Sequence, residues 1–370
     1  MSATISQAAL RELVAGWIAQ GKRVAGPRLV FSDVGAVRPS TLLRAVSDSR
    51  TGDPLPEGFG PQGEPPLLYA PLESAAQLAL EGFIRPANSV KEFIFPKHEE
   101  LYGYRITGNR IDLIEAEQPA GEQVVIAARP CDAASLPILD HVFNWDYKDE
   151  LYNLRRQLTT IVTLACAAHD DACFCTSVGL GPAAERGSDA MLLELDDGEY
   201  EVRCLTEKGK ALFDGKLQAS ERRANFAVGP EKRFDAQQAR AFLNEHFDSP
   251  FWPAQTLACL GCGACAYTCP TCHCFDFVDE GNIERGVRAR NWDSCQFAMF
   301  TLHASGHNPR PDQPARQRQR MDHKFRVYPE KFGEILCTGC GNCARNCPVG
   351  MGVLRVLGDI DHALSCGAEL

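Results

Sequence analysis

The sequence lacks the uninterrupted apolar run of about 18 residues that a membrane-spanning helix needs. Its nearest candidate, "IVTLACAA" (161–168), is too short and too interrupted. The first twenty residues contain no basic segment followed by an apolar core, so they are not typical of a secretory signal and instead predict an amphipathic helix. We therefore expect a soluble, cytoplasmic protein with no membrane partner.

The sequence also lacks an excess of positive charge. It has 38 lysines and arginines and 48 acidic residues, which gives a formal net charge of −10. Proteins that bind nucleic acids generally neutralise phosphates with an excess of cationic side chains. The composition therefore argues against nucleic acid as a partner.

Several catalytic motifs are missing. The chain has no P-loop, no nucleophile elbow and no H-E-x-x-H. A literal G-x-G-x-x-G occurs at Gly58, Gly60 and Gly63, but no predicted strand leads into it and no helix follows, so it does not predict a dinucleotide site. We expect this chain itself to bind no flavin or nucleotide and to turn over no substrate alone.

Cysteine, by contrast, is abundant, with 17 residues. Without an export signal, and with cysteines in closely spaced C-x2-C pairs, metal ligation is a better interpretation than disulfides. Five cysteines precede residue 250 and twelve follow it, whereas the whole net negative charge lies before it. The change in cysteine content and the change in net charge both predict two domains, 1–250 and 251–370, joined near "DSPFWPAQ" (248–255).

Two cysteine runs share one spacing, C-x2-C-x2-C-x3-C-P, and begin at Cys259 and Cys337. This is the run of bacterial two-cluster ferredoxins, in which the fourth cysteine ligates the other cluster. A structural zinc site needs only two pairs and leaves half of the thiols unexplained. The sequence therefore predicts two [4Fe-4S] clusters, one held by a first cysteine group of Cys259, Cys262, Cys265 and Cys347, the other by a second cysteine group of Cys269, Cys337, Cys340 and Cys343.

Four more cysteines follow two predicted strands, at 123–128 and 159–165. They form the N-terminal cysteine group, Cys131, Cys166, Cys173 and Cys175. The ends of neighbouring strands in an α/β sheet meet at a crevice that commonly holds ligands, so a third cluster is expected there. Zinc and inert buried thiols are the alternatives. Cys204 and Cys366 stand alone and are expected to be buried free thiols.

The 67 residues between the two runs contain three further cysteines, Cys272, Cys274 and Cys295. Neither cluster needs them, and we expect them to pack or hydrogen-bond beside one, unless His273 completes a site. The same insertion is basic, and its arginines are expected to offset the anionic clusters, to dock an acidic partner or to form a solvated face. They are Arg285, Arg288, Arg290, Arg316, Arg318 and Arg320.

The pattern of elements predicts an α+β protein, with a mixed α/β domain before a mainly helical two-cluster ferredoxin domain. Besides the two strands above, strands are predicted at 91–95 and 190–195, and a helix at 132–143 with Asp132 as its N-cap. Few strand signals follow residue 250.

Five segments occur here in an order that resembles the iron–sulfur β subunit of cytoplasmic NAD(P)-linked nickel–iron hydrogenases (sulfhydrogenases) and the related iron–sulfur subunit of anaerobic sulfite reductase. They are "RPCDAASLPILDHVF", "CAAHDDACFCTSVG", "CPTCHCFDF", "RNWDSCQFAMFTLHASGHNPRP" and "CTGCGNCARNCPVG". The resemblance implies a 4Fe-4S dicluster electron-transfer subunit that connects a flavin subunit binding NAD(P)H with a catalytic subunit.

The expected function is therefore one-electron relay through two or three [4Fe-4S] clusters in an oxidoreductase complex, in which the clusters supply the redox chemistry. Two alternatives stay open. One is a self-contained reductase that binds substrate at a cluster beside Cys131 and Cys166. The other is a metal-binding assembly scaffold with redox-silent clusters.

Overall fold

The structure is a computed structural model that describes residues 2–30, 65–225 and 227–366. The G-x-G-x-x-G at Gly58, Gly60 and Gly63 lies outside these residues. The helices and strands are β1 (Ser2–Ile5), α1 (Gln7–Ala19), β2 (Arg23–Leu29), β3 (Leu67–Pro71), β4 (His98–Thr107), β5 (Arg110–Glu115), β6 (Gln123–Ala128), α2 (Pro130–Ala133), α3 (Ser135–Val142), α4 (Glu150–Leu158), β7 (Thr159–Leu164), β8 (Ala190–Glu194), β9 (Tyr200–Cys204), α5 (Glu207–Phe213), β10 (Gln218–Ser220), α6 (Ala236–Glu245), α7 (Phe251–Thr256), α8 (Ala264–Tyr267), β11 (Phe275–Gly281), β12 (Arg285–Trp292), α9 (Gln313–Asp322), α10 (Tyr328–Phe332), α11 (Asn342–Arg345) and α12 (Val353–Cys366).

The larger sheet has eight strands in the order β10-β1-β9-β8-β7-β6-β2-β3. Its centre is parallel, because β6 pairs in parallel with both β2 and β7, and β7 pairs in parallel with β8. Every residue of β6 is buried, as expected for a central strand covered on both faces. The carboxyl ends of β6 and β7 therefore lie side by side.

The smaller sheet has four antiparallel strands in the order β11-β12-β4-β5. Strands β4 and β5 precede residue 250, whereas the β11–β12 hairpin belongs to the insertion between the two cysteine runs. A sheet ladder thus crosses the position of the expected boundary, with Arg290 opposite Glu99. The sequence did not predict this hairpin.

A hydrophobic core forms around the cysteine runs and uses both parts of the chain. Phe174 and Phe234 pack in it with Met321, Phe325 and α12. No helix among the described residues has both the length and the apolar character to cross a bilayer. The α+β class is confirmed.

Three predicted strands are confirmed, at 123–128, 159–165 and 190–195, as is an amphipathic helix near the start. The strand predicted at 91–95 is wrong: Val90–Phe93 is a turn of 3-10 helix, which Ser89 caps by accepting a hydrogen bond from the Lys91 amide. Short apolar runs do not distinguish strands from buried helical turns by pattern alone.

The helix predicted at 132–143 is divided into α2 and α3, and the prediction of Asp132 as N-cap is wrong. Helix α2 begins at Pro130 after Arg129, and proline is favoured at the first helical position. Asp132 is fully buried within α2, and its carboxylate accepts hydrogen bonds from Arg85 and from the Tyr69 hydroxyl.

Candidate functional site

The first cysteine group lies around one cavity of about 350 Å³, its open mouth included. All four members, Cys259, Cys262, Cys265 and Cys347, line it, and Cys262 is exposed. Gly263 has a φ of +74°, and a Cβ there would lie 2.6 Å from the Phe297 ring, so glycine is required by both conformation and space. The structure thus brings the three clustered cysteines of one run together with the last cysteine of the other.

The second cysteine group, Cys269, Cys337, Cys340 and Cys343, is entirely buried. Burial raises the pKa of Cys340 to about 12, and the nearby thiols of Cys269 and Cys343 act in the same direction. Backbone amides also approach these sulfurs, with Gly339 N 3.5 Å from Cys337 Sγ and Val353 N 3.3 Å from Cys343 Sγ. Thiolates in such a place need positive charge and hydrogen-bond donors around them.

The N-terminal cysteine group also surrounds a single cavity, of about 440 Å³ with its mouth included. Cys131 follows β6 and Cys166 follows β7, the two parallel neighbours, while Cys173 and Cys175 come from the loop after Cys166. Strand β6 has a bulge just before this site, where Ala127 adopts a φ of +56°. Bulges of this kind redirect the chain and are common beside functional sites.

Two arginines connect the N-terminal cysteine group with the second group. Arg85 Nη1 lies 3.2 Å from Cys131 Sγ, and Arg345 Nη2 lies 3.0 Å from Cys173 Sγ. Both also approach the Cys340 carbonyl oxygen, at 3.5 and 2.6 Å. Cys340 itself lines the cavity of the N-terminal group. The two cysteine groups therefore share a wall.

Gly339 lies at a close backbone contact between these two groups. Its φ is +65°, its carbonyl accepts a hydrogen bond from Phe174 N, and a Cβ would lie 2.5 Å from the backbone of Cys175. We expect Gly339→Ala to lower the free energy of unfolding by about 1–3 kcal/mol or more and to reduce iron retention. Gly333→Ala is the matched control, because Gly333 has a φ of +76° but nothing within 4 Å of its Cβ position. Equal denaturant midpoints and iron contents in the two variants would contradict the close-approach argument.

Of the three extra cysteines of the insertion, Cys272 lies beside the second group, and Cys274 and Cys295 lie next to each other. Cys272 is buried next to Cys269, and Lys91, itself buried, donates from Nζ to the Cys272 carbonyl at 2.7 Å and lies over the Trp292 ring. Cys274 neighbours Cys295. A hydrogen bond between the two side chains raises the pKa of Cys274 and lowers the pKa of Cys295 to about 6. The His273 ring is held by the Thr271 carbonyl, 3.0 Å from its Nδ1, and burial lowers the pKa of His273 to about 4.

The arginines of the insertion separate into distinct environments. Arg290 is buried in ion pairs with Glu99 and Asp149, and Arg288 pairs with Asp279 at the surface. Arg285 lies exposed on the hairpin, and Arg316 and Arg318 bind nearby backbone carbonyls. Arg320 alone among the six lies among the cysteines, and it is 2% exposed.

The environment of Arg320 indicates whether the cysteine groups suit an anionic cluster. Its Nε, Nη1 and Nη2 atoms are all buried, and none has a hydrogen-bond partner in the described part of the chain. A buried guanidinium without a partner is strongly unfavourable, so its place among thiols fits negatively charged centres beside it. Across the described ranges no three His, Cys, Asp or Glu side chains are positioned to hold a single metal ion.

Sequence reasoning missed the cations and amides that surround the sulfurs, among them Arg85, Arg345 and Lys324. Lys324 Nζ lies 3.4 Å from Cys269 Sγ. A weak signal was present, because Arg345 lies within the second cysteine run, between Cys343 and Cys347. Nothing near Arg85 in the sequence points to a sulfur 46 residues away.

Comparisons with known proteins point to an iron–sulfur family. A family model described as a 4Fe-4S dicluster domain matches residues 258–351. The sulfhydrogenase 2 subunit beta of Pyrococcus furiosus is 30% identical over 341 residues, which cover 84% of this chain and 97% of that protein. No solved structure gives a significant match.

Proposed function

The chain belongs to the family of sulfhydrogenase β subunits, and from that premise we propose that it relays electrons through three [4Fe-4S] clusters arranged in a row. An iron–sulfur electron-transfer role in a hydrogenase-like complex follows from the family. We propose, in addition, the number of clusters, their ligands and the subunits at either end.

One observation carries the proposal: Cys340 lies in the second cysteine group and in the wall of the N-terminal cavity. The first and second groups are joined because each receives the last cysteine of the other run. The N-terminal group, the second group and the first group would therefore hold consecutive centres. Electron transfer between such centres needs closeness and a suitable order of potentials, which the protein tunes by charge and hydrogen bonds.

Each cluster, when bound, supplies reversible one-electron chemistry, and the chain's residues position it. The cysteines hold it, buried amides and cations favour its negative charge, and the apolar core around Phe174 and Phe325 excludes water. Exposed Cys262 brings the first group to the surface, which suits exchange of electrons with another protein.

We propose that the partners at the two ends are a flavin subunit that binds NAD(P)H and a catalytic oxidoreductase subunit. Since thiolate-held clusters are oxidised easily, a reducing compartment such as the cytoplasm suits them. Purified chain mixed with NAD(P)H and electron acceptors is expected to show no turnover until a flavin subunit is added. Turnover by the chain alone would favour the self-contained reductase instead.

Iron analysis tests the cluster number. Anaerobically purified protein is expected to contain about twelve irons per chain, four for each of three cubanes. Spin counting by EPR on the reduced protein should account for three paramagnetic centres that oxidise reversibly. About eight irons would mean two clusters and inert thiols at the N-terminal site. Iron that never gives a reversible EPR signal would favour the assembly scaffold.

A further inference from the structure

Four buried or half-buried polar side chains form a stripe along one face of α9 and the turn of π-helix that follows it, His323–Val327. They are Gln313, Gln317, Arg320 and Lys324. Their spacing of four, three and four residues places them on one side of a helix. We call this set the donor stripe.

The first half of the stripe faces the first cysteine group with neutral amides. Gln313 Nε2 lies 3.3 Å from Cys259 Sγ. Gln317 lines the cavity of that group, is 1% exposed, and its Nε2 has no hydrogen-bond partner among the described residues. Both amides can donate toward a cluster in this cavity, but neither contributes a full charge.

The far end of the stripe faces the second cysteine group with an ammonium. Lys324 is 2% exposed, and its Nζ lies 3.4 Å from Cys269 Sγ. It also donates to the Thr271 hydroxyl and to the Leu336 carbonyl at 3.1 and 3.0 Å. The amine of Lys324 therefore lies directly beside a cysteine of the second group.

Arg320 lies between the two groups. On the stripe it stands between Gln317, which lines the cavity of the first group, and Lys324, which contacts Cys269 of the second group, and it is 2% exposed. Since none of its three nitrogens has a partner in the described ranges, the guanidinium is available to both.

We propose that the donor stripe sets the order of the two ferredoxin-type potentials, with the cluster of the second cysteine group the more easily reduced. This rests on the proposed function, since it requires clusters in both groups. A nearby positive charge stabilises the reduced cluster, which carries one more negative charge, and so raises its potential. The second group has Lys324 and a share of Arg320, whereas the first has its share of Arg320 and two neutral amides.

A redox titration followed by EPR on the full chain tests this, with signals assigned by the cysteine variants described in the Discussion. Arg320→Gln is expected to lower both potentials, and Lys324→Gln to lower that of the second group alone. Arg320→Lys keeps the charge and should restore most of the shift. Arg318→Gln is the matched control, because Arg318 lies on the same helix but donates to the Phe247 carbonyl and Asp248. It should leave both potentials unchanged.

The possible results distinguish failure of the donor-stripe proposal from failure of the proposed electron relay. Full iron content and reversible reduction, with unchanged potentials in Arg320→Gln and Lys324→Gln, would overturn the stripe and leave the relay standing. Equal shifts in Arg320→Lys and Arg320→Gln would show that charge is not the cause. If Arg320→Gln fails to retain its clusters, Lys324→Gln decides: a downward shift confined to the second group supports the proposal, and any other result overturns it.

Discussion

Replacing Cys131 with serine should lower the iron content from about twelve to about eight per chain and remove one EPR signal. The reason is geometric, because Cys131 lies in a single cavity with Cys166, Cys173 and Cys175. A cubane with a hydroxyl in place of one thiolate is held more weakly and is lost during purification. The other two signals should remain, since the first and second cysteine groups keep all eight of their cysteines.

Two further variants control this result. Cys173→Ser should give the same iron content and the same residual spectrum, because both cysteines are proposed to hold one cluster. Cys204→Ser should keep about twelve irons, since Cys204 lies on β9 and does not line the cavity. An unchanged iron content in both Cys131→Ser and Cys173→Ser would show that the N-terminal thiols hold no cluster.

The site was more predictable from the sequence than the fold around it. Identical spacing in two cysteine runs predicts which sulfurs meet, because the geometry of a cubane imposes that spacing. Cys131 and Cys166 were grouped since each follows a strand, and parallel neighbours end at the same edge of a sheet. The structure brings the first cysteine group around one cavity and the N-terminal group around another.

The charged surroundings of the sulfurs were less predictable for a physical reason. Arg320 lies in "ARQRQR", where Arg316, Arg318 and Arg320 alternate with glutamines and look alike. Only the packing of α9 determines that position 320 is buried and position 318 is not. The helical spacing of Gln313, Gln317, Arg320 and Lys324 was a usable signal, but it becomes meaningful only when α9 is known to lie against the clusters.

The division at residue 250 stays a prediction. The structure shows long-range contacts across that position, which composition could not predict. Antiparallel pairing of β12 with β4 joins the insertion to the earlier part of the chain. Phe174 and Phe234 pack in the same core as α12. Composition and charge report on local surface character, whereas these long-range contacts depend on which elements pair in space. The N-terminal and second cysteine groups are held together by such contacts.

The crossing of the fourth cysteines has a distinctive expected result. Cys347→Ser and Cys262→Ser should each lose about four irons and leave the same EPR spectrum, although the two residues belong to different runs. Cys269→Ser and Cys337→Ser should likewise match each other and leave a different spectrum.

The structural basis of this pairing is that Cys347 lines the cavity of Cys259, Cys262 and Cys265. Cys269 is held near Cys337, because Lys324 Nζ contacts both Cys269 Sγ and the carbonyl of Leu336, the residue before Cys337. If each run instead held its own cluster, Cys347→Ser would match Cys337→Ser, and Cys269→Ser would match Cys262→Ser. Matched spectra therefore distinguish the two arrangements even though every variant loses the same amount of iron. The crossed pairing also implies that neither run can fold around its cluster without the other, so loss of one cluster should lower the thermal stability of the remaining one.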